Sequence, residues 1–146
     1  PHKVGVMGHS AGGHLAATVA TLARDDAKPD FQILFYPVIT MDKRYTHMGT
    51  HDNLIGRDAG PELENYYSCE KQVRPGNAPA LILTTDDDET VPSENSVNYY
   101  LALKNAGVDA SLHIYPSGSH GFSHHKWFRS HDVMISDLFS WIDSLK

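Results

Sequence analysis

Lys3-Val-Gly-Val-Met-Gly-His-Ser-Ala-Gly-Gly-His14 is the stretch that decides the fold of this chain. The apolar run from Lys3 to His9 is bounded by glycines and predicts a buried β-strand. From Ala11 to Ala23 the sequence is rich in alanine and predicts a helix. Its larger apolar side chains lie at helical spacing on one face: Leu15, Val19 and Leu22. A strand, a tight turn and a helix therefore follow one another in this segment.

The turn between this strand and helix carries Gly8-His9-Ser10-Ala11-Gly12, which matches the pattern G-x-S-x-G. A turn this tight needs small flanking residues, and it strains the serine backbone so that the hydroxyl projects into the open. Ser10 also begins a helix, whose unpaired N–H groups and dipole favour a developing negative charge. We therefore predict that Ser10 is a nucleophile and that the Ala11 N–H is an oxyanion donor.

Three further strands are predicted downstream, each an apolar run that ends near a turn signal: Phe31–Tyr36, Ala78–Thr85 and Ala110–Tyr115. The last of them alternates apolar and polar residues, which indicates a sheet edge. Helices are predicted after Ser93, a preferred N-cap residue, with Gly107 just past the helix end, and from Ser130 to Leu145. Strands alternating with helices predict an α/β fold: a three-layer sandwich with a parallel sheet of about four strands and helices on both faces.

Residues 38–77 differ from the rest of the chain because they are polar, rich in His, Asp, Gly and Tyr, and without sustained periodicity. Pro61 to Tyr67 is the one stretch that predicts a short helix there. We interpret the segment as a lid-like insertion over a site, and a long surface connection is the alternative.

The composition limits the classes of protein that this chain can represent. Its 146 residues allow one domain, and 12 Lys+Arg against 18 Asp+Glu give a net charge of −6. No Lys/Arg cluster is present to neutralise phosphates, which argues against nucleic acid, and no run of 18 apolar residues predicts a membrane span. One cysteine, Cys69, excludes an internal disulfide. His124, His125 and His131 lack a Cys or carboxylate at a recognised zinc spacing, so we expect neither a metal nor a cofactor.

A serine needs a base to act as a nucleophile at neutral pH, and the chain offers ten histidines. His120 follows the last predicted strand in a glycine-flanked loop, at the edge of the sheet where ligands bind. His9 and His14 flank the serine, but we expect the first to point away and the second to pack or bond locally. His120 is therefore the predicted base.

A third group must orient the imidazole and stabilise its cation. Four acidic residues follow the third predicted strand: Asp86, Asp87, Asp88 and Glu89. Their positions alone leave the choice among them open, and at least two of them belong to a solvated turn.

Three motifs resemble those of α/β-hydrolase-fold serine esterases, particularly carbohydrate esterases of the acetyl-xylan-esterase kind. They are Gly-His-Ser-Ala-Gly-Gly-His-Leu (8–15), Asp-Glu-Thr-Val-Pro-Ser-Glu-Asn-Ser (88–96) and His-Ile-Tyr-Pro-Ser-Gly-Ser-His-Gly-Phe (113–122), in the order Ser, acid, His of that fold. The resemblance spans nearly the whole chain. It implies that Ser10 is the nucleophile and His120 the base. Because the family's acid stands as Asp-x-x-Val-Pro, it implies that Asp88 is the third member.

The resemblance also implies hydrolysis of carboxylic esters, with an oligosaccharide ester or another small-molecule ester as the substrate. Prolyl-oligopeptidase-type serine peptidases and formamidases resemble the same motifs and are the alternatives within hydrolases. Four aromatic residues are candidates for a sugar platform, although such residues more often pack in a core: Tyr36, Tyr66, Tyr67 and Trp127.

The chain departs from these families in lacking their earlier half, with its further strands and the His-Gly-Gly loop that supplies a second oxyanion donor. It starts at Pro1 and reaches a strand almost at once. We therefore expect residues 1–146 to be the C-terminal half of one domain, so that the absence of a signal peptide has no meaning here. The strand at 3–9 would then be an exposed edge, and a poorly active fragment that forms a homodimer through it is the non-enzymatic alternative.

Overall fold

Four parallel strands form the sheet of the computed structural model, which describes residues 3–145. They are β1 (Gly5–His9), β2 (Phe31–Phe35), β3 (Ala80–Thr85) and β4 (Ala110–Tyr115), and they pair in that order. The register pairs His9 with Phe35 and Phe35 with Leu83, so the carboxyl ends of the strands lie together. The predicted parallel sheet of four strands is confirmed.

Residues 3–145 also contain five α-helices: α1 (Ser10–Leu22), α2 (Met48–Ile55), α3 (Pro61–Tyr67), α4 (Glu94–Asn105) and α5 (His131–Ser144). Alternate residues of the central strands face opposite sides of the sheet. Leu34 and Ile82 belong to a core cluster with α1 and α4, whereas Ile33 and Leu81 belong to a cluster with α5. Helices therefore lie on both faces of the sheet, as predicted.

The helix α1 presents small residues to the sheet rather than its larger apolar side chains. Its buried positions include Gly13, Ala16 and Ala17, while Leu15 is 66% exposed. A Cβ on Gly13 would lie 2.7 Å from the Cβ of Pro37, so the helix backbone lies close against the residues that follow β2. Large apolar side chains would prevent this approach, which explains why alanine and glycine form the contact.

The two ends of α4 lie close to where the sequence predicts them. Ser93 occupies the N-cap position, although its side chain makes no capping hydrogen bond. At the other end Ala106 is the C-cap, and Gly107 follows it with a φ of +70°. Glycine adopts this left-handed conformation without strain, so Gly107 ends the helix.

Residues 38–77 hold two α-helices, of which the sequence predicts only α3. The helix α2 is eight residues long and begins after His47, whose ring accepts a hydrogen bond from the Thr50 N–H at 3.2 Å. Histidine is not a preferred N-cap residue, so the start of this short helix carries no recognisable signal. The fully buried His51 has a ring nitrogen 3.4 Å from Glu64 Oε1 and thereby joins α2 to α3. The function of this segment as a lid stays a prediction.

Within residues 3–145, β1 and β4 form the two edges of the sheet, as the sequence predicts for β4. The strand β1 pairs with β2 alone in the described part of the chain, and Val4 and Met7 beside this edge are 69% and 60% exposed. An exposed apolar edge strand favours association, but a homodimer formed through it stays a prediction. The described residues include no helix with the length and apolar character needed to cross a membrane.

Candidate active site

The turn between β1 and α1 holds Ser10 in a left-handed backbone conformation with a φ of +54°. This conformation is uncommon for a residue other than glycine, and strain of this kind is typical of functional turns. A Cβ on Gly8 would lie 2.1 Å from the carbonyl oxygen of Gly12, so only glycine fits at position 8. At Gly12 a Cβ would meet no described atom within 4 Å, so the expectation that this position must also be small is wrong.

His120 lies between Ser10 and Asp88 and contacts both. Its Nε2 is 2.9 Å from Ser10 Oγ, and its Nδ1 is 2.7 Å from Asp88 Oδ2. The three residues come from the β1–α1 turn, the loop after β3 and the loop after β4, all at the carboxyl edge of the sheet. The structure thus brings together the three side chains that the sequence analysis selects.

These two hydrogen bonds indicate which tautomer the neutral His120 ring adopts. A carboxylate only accepts hydrogen bonds, so Nδ1 carries the proton that is donated to Asp88. In the neutral ring Nε2 is then unprotonated and accepts the hydrogen bond that the Ser10 hydroxyl donates. Nε2 is therefore placed to remove the hydroxyl proton when the serine oxygen attacks an electrophile.

The acidic run after β3 divides its carboxylates between different partners. Asp88 is 4% exposed, and its Oδ1 accepts the N–H groups of Thr90 at 2.9 Å and Val91 at 2.8 Å. These two bonds fix the carboxylate so that its Oδ2 faces His120. The neighbouring Asp87 is exposed and accepts backbone N–H groups of the loop after β4. Of the four acidic candidates, Asp88 is the one that reaches the imidazole.

Tyr36 packs against the His120 ring. The two ring centroids are 4.7 Å apart at an interplanar angle of 64°, an edge-to-face arrangement. The Tyr36 hydroxyl lies 2.9 Å from Ser123 Oγ, and burial raises the pKa of this hydroxyl. Of the aromatic candidates for a sugar platform, Tyr36 is 2% exposed and packs in the core, whereas Trp127 is 70% exposed. The sequence does not predict the contact between Tyr36 and His120, because no local signal links residues so far apart in the chain.

The two histidines that flank the serine have other partners. His9 stacks between Phe35 and His124, at centroid distances of 4.6 and 4.9 Å, and burial lowers its pKa, with His124 adding to the effect. His14 is buried, and its Nε2 lies 2.8 Å from the carbonyl oxygen of Tyr67, a partner far along the chain that the sequence did not predict. Among residues 3–145, no group of three or more His, Cys, Asp or Glu side chains is placed to hold a metal ion.

Ala11 follows the serine in the first turn of α1, where backbone N–H groups have no acceptor within the helix. The helix dipole adds a positive potential at this point. Ala11 is one of the residues that line a cleft of about 480 Å³ between α1 and α2, together with Leu15, Thr50 and Leu54, whereas Ser10, Asp88 and His120 lie outside this lining. An oxyanion held at the Ala11 N–H would therefore have adjacent space for the rest of its molecule.

Comparison with known proteins adds further evidence. A family described as alpha/beta hydrolase fold matches residues 1–124. The chain is 44% identical, over 99% of its length, to the acetylxylan esterase of Xylanibacter ruminicola, and 35% identical, over 83% of its length, to endo-1,4-beta-xylanase B of Butyrivibrio fibrisolvens. It also resembles the crystal structure of the acetyl ester-xyloside bifunctional hydrolase from Caldicellulosiruptor lactoaceticus, with 34% identity and a TM-score of 0.81 over 95% of this chain.

The chain spans only part of each of these proteins. It covers 31% of the acetylxylan esterase, 21% of the xylanase and 56% of the crystallised hydrolase chain. The similarity therefore concerns the fold and the residues that this chain contains.

Proposed function

The chain belongs to the alpha/beta hydrolase fold family, and from that membership we propose that it carries the catalytic residues of a serine-dependent carboxylic ester hydrolase. The observation that carries the proposal is the pair of hydrogen bonds made by His120, at 2.9 Å to Ser10 and 2.7 Å to Asp88. A serine, a histidine and a buried carboxylate joined in this way form a nucleophile, a general base and an orienting acid. The strained turn at Ser10 supports the same assignment.

In the first half of the proposed reaction, Ser10 Oγ attacks the ester carbonyl while His120 Nε2 takes the hydroxyl proton. The negative charge on the carbonyl oxygen is stabilised by the Ala11 N–H and the N-terminus of α1. His120 then gives its proton to the departing alcohol oxygen, which leaves an acyl group on Ser10. In the second half, water attacks this acyl group while His120 takes a proton from it. His120 then returns that proton to Ser10 Oγ as the bond between Oγ and the acyl carbon breaks, and the carboxylic acid is released.

Asp88 acts on His120 throughout this cycle. Its carboxylate is buried and held by two backbone N–H groups, so it keeps one orientation while the ring changes charge. The hydrogen bond to Nδ1 maintains the tautomer in which Nε2 is the base, and the negative charge stabilises the imidazolium when Nε2 is protonated.

An acetylated carbohydrate of the xylan type is the substrate class that we propose. Two similar proteins support it by name, an acetylxylan esterase and an acetyl ester-xyloside hydrolase. The cleft between α1 and α2 also supports this substrate class. Its lining includes Ala11, the proposed oxyanion donor, and combines apolar Leu15 and Leu54 with polar Thr50 and Asn53. A polar lining can bond sugar hydroxyls, while the leucines can contact the apolar faces of the ring.

The names of two similar proteins, a xylanase and a xyloside hydrolase, also refer to cleavage of a glycosidic bond. This site supports that reaction less well than it supports ester hydrolysis. Most glycosidases use two carboxyl groups about 5 to 9.5 Å apart on either side of the scissile bond. Here the Asp88 carboxylate is buried against His120, and the Asp87 carboxylate holds backbone N–H groups. Neither of these two carboxylates is therefore free to act in such a pair.

Turnover of p-nitrophenyl acetate and of acetylated xylo-oligosaccharides by the intact protein tests the proposal. Ser10→Ala should lower kcat by at least about 10³-fold because the nucleophile is lost. Ser117→Ala, which changes an exposed serine in the loop that leads to His120, is the matched control and should keep wild-type turnover. Full activity in Ser10→Ala would overturn the assignment. Preferential cleavage of a p-nitrophenyl xyloside or a peptide p-nitroanilide would replace it with a glycosidase or peptidase function.

A further inference from the structure

A carboxylate that the proposed mechanism does not use holds the loop before His120. Asp87 Oδ1 accepts the N–H of Gly118 at 3.0 Å and that of Ser119 at 2.8 Å, and Asp87 Oδ2 lies 3.1 Å from the Gly118 nitrogen. Two successive N–H groups that converge in this way form a concave site suited to an anion. Hydrogen bonds to an ionised acceptor are roughly twice as strong as neutral ones. Asp87 therefore makes charge-assisted hydrogen bonds to the two peptide units that lead directly to His120, and we call this pair of hydrogen bonds the clamp.

The backbone in this clamp adopts a conformation that needs support from outside the loop. Ser119 has a φ of +57°, which is uncommon for a residue with a side chain. Gly118 lies so close to β3 that a Cβ there would be 2.9 Å from Thr85 Cγ2. The Thr85 hydroxyl also donates to the Ser119 carbonyl oxygen at 3.3 Å. The end of β3 and the residues after it thus hold this loop on several sides, and Asp87 supplies the charged contact.

We propose that Asp87 is a positioning residue for His120, so that two neighbouring carboxylates act on one histidine from different sides. Asp88 bonds the ring, and Asp87 bonds the backbone that carries the ring to its place beside Ser10. This inference rests on the proposed function, because it assigns a purpose to the same site. Catalytic groups must be held close to their productive geometry, and a shift of about 1 Å costs about 10²-fold in rate.

The charge state of Asp87 suits this role. The hydrogen bond from the Ser119 N–H, together with that from Gly118, lowers the pKa of Asp87 below its ordinary value. The carboxylate therefore stays ionised at neutral pH, and its hydrogen bonds to Gly118 and Ser119 keep their charged acceptor there. Asp86, one residue earlier, has an exposed side chain, and its backbone N–H bonds the Tyr115 carbonyl oxygen at 2.8 Å.

Kinetics of Asp87→Ala, Asp87→Asn and the control Asp86→Asn in the intact protein test the proposal. Asp87→Ala removes both contacts and should lower kcat about 10- to 100-fold, with KM within about twofold of wild type. Asp87→Asn keeps one acceptor oxygen, so its kcat should lie between that of Asp87→Ala and that of the wild-type protein. Asp86→Asn removes the same charge without touching the loop and should keep kcat within about twofold, which separates positioning from loss of negative charge.

A second measurement follows the His120 ring directly by NMR, through the signal of the Nδ1 proton that the ring donates to Asp88. We expect that signal to weaken or broaden in Asp87→Ala and to persist in Asp86→Asn. The proposal is overturned if folded Asp87→Ala keeps both wild-type kcat and this signal, with only its melting temperature lowered, as a purely structural role predicts. If Asp87→Ala does not fold, Asp87→Asn decides by the same two criteria. Absence of ester turnover in the wild-type protein would count against the proposed function, while the NMR comparison would still decide the role of Asp87.

Discussion

A 2.8 Å hydrogen bond between His14 Nε2 and the carbonyl oxygen of Tyr67 fastens helix α1 to the end of α3. A carbonyl oxygen only accepts, so Nε2 carries a proton and a neutral ring satisfies the contact. On the other side of the ring, Nδ1 lies 3.4 Å from the Thr18 hydroxyl. The buried histidine thus joins the helix that starts at Ser10 to the insertion at residues 38–77.

The burial of the His14 ring predicts that the fold loses stability as the pH falls, because its effect on the pKa exceeds the opposite effect of the bond to Tyr67. Burial lowers the pKa of His14, whereas in the unfolded chain the ring titrates near its ordinary value of about 6.5. The unfolded chain therefore takes up the proton first. The stabilising contribution is complete above that value and is lost as the pH falls below it toward the lower pKa of the folded state.

Urea unfolding measured between about pH 8 and pH 5 checks this prediction. His14→Gln keeps a donor for the Tyr67 carbonyl oxygen and removes the titration, so its stability should depend less on pH. His9, whose pKa burial also lowers, contributes to a slope that remains in the variant. Equal slopes in wild type and variant would contradict the assignment to His14.

Gly8 and Gly12 should respond very differently to the same substitution. A Cβ at Gly8 would lie 2.1 Å from the Gly12 carbonyl oxygen, so Gly8→Ala forces the turn apart and should cost about 3 kcal/mol or more. A Cβ at Gly12 meets no described atom within 4 Å, and alanine is the better helix former, so Gly12→Ala should stay within about 1 kcal/mol of wild type. Thermal unfolding measures both, and similar losses in the two variants would disprove the steric argument.

Asp88→Asn should lower kcat by about 10⁴-fold while leaving the fold intact. The asparagine oxygen can keep the N–H groups of Thr90 and Val91, which turns the amide NH₂ toward His120. An NH₂ group cannot accept a proton from Nδ1, so the ring adopts the other tautomer and Nε2 no longer acts as a base. Glu89→Gln, at the next and exposed position, is the control and should keep wild-type kcat. Steady-state ester hydrolysis by both variants decides, and an active Asp88→Asn enzyme would refute the tautomer argument.

Leu54→Trp should narrow the cleft between α1 and α2. Leu54 lies on α2, is 44% exposed and, like Ala11, lines the cleft of about 480 Å³. If this cleft receives the substrate, kcat/KM should fall about tenfold or more for an acetylated oligosaccharide and little for p-nitrophenyl acetate. Competition between the two esters measures the ratio. An unchanged ratio would show that the substrate binds elsewhere.

Several features of the fold and site were predictable because their signals are local. The glycines around Ser10, the apolar runs and the alternation of strands with helices indicated the sheet and the turn. The buried face of α1 could not be predicted, because the spacing of Leu15, Val19 and Leu22 does not reveal how closely the helix approaches the sheet. The helix α2 escaped prediction because it is short and starts at a histidine cap.

The amino-acid sequence alone specified a parallel α/β sheet, a serine on a strained turn, and a histidine and acidic run at the same sheet edge. These properties depend on neighbours along the chain. The resemblance to a known family implied Asp88 as the acid, but only the tertiary structure decided that Asp87 bonds the backbone before His120 and that Tyr36 packs against the His120 ring. Such contacts join loops up to 110 residues apart, as for Ser10 and His120, and they exist only once the strands have brought their carboxyl ends together.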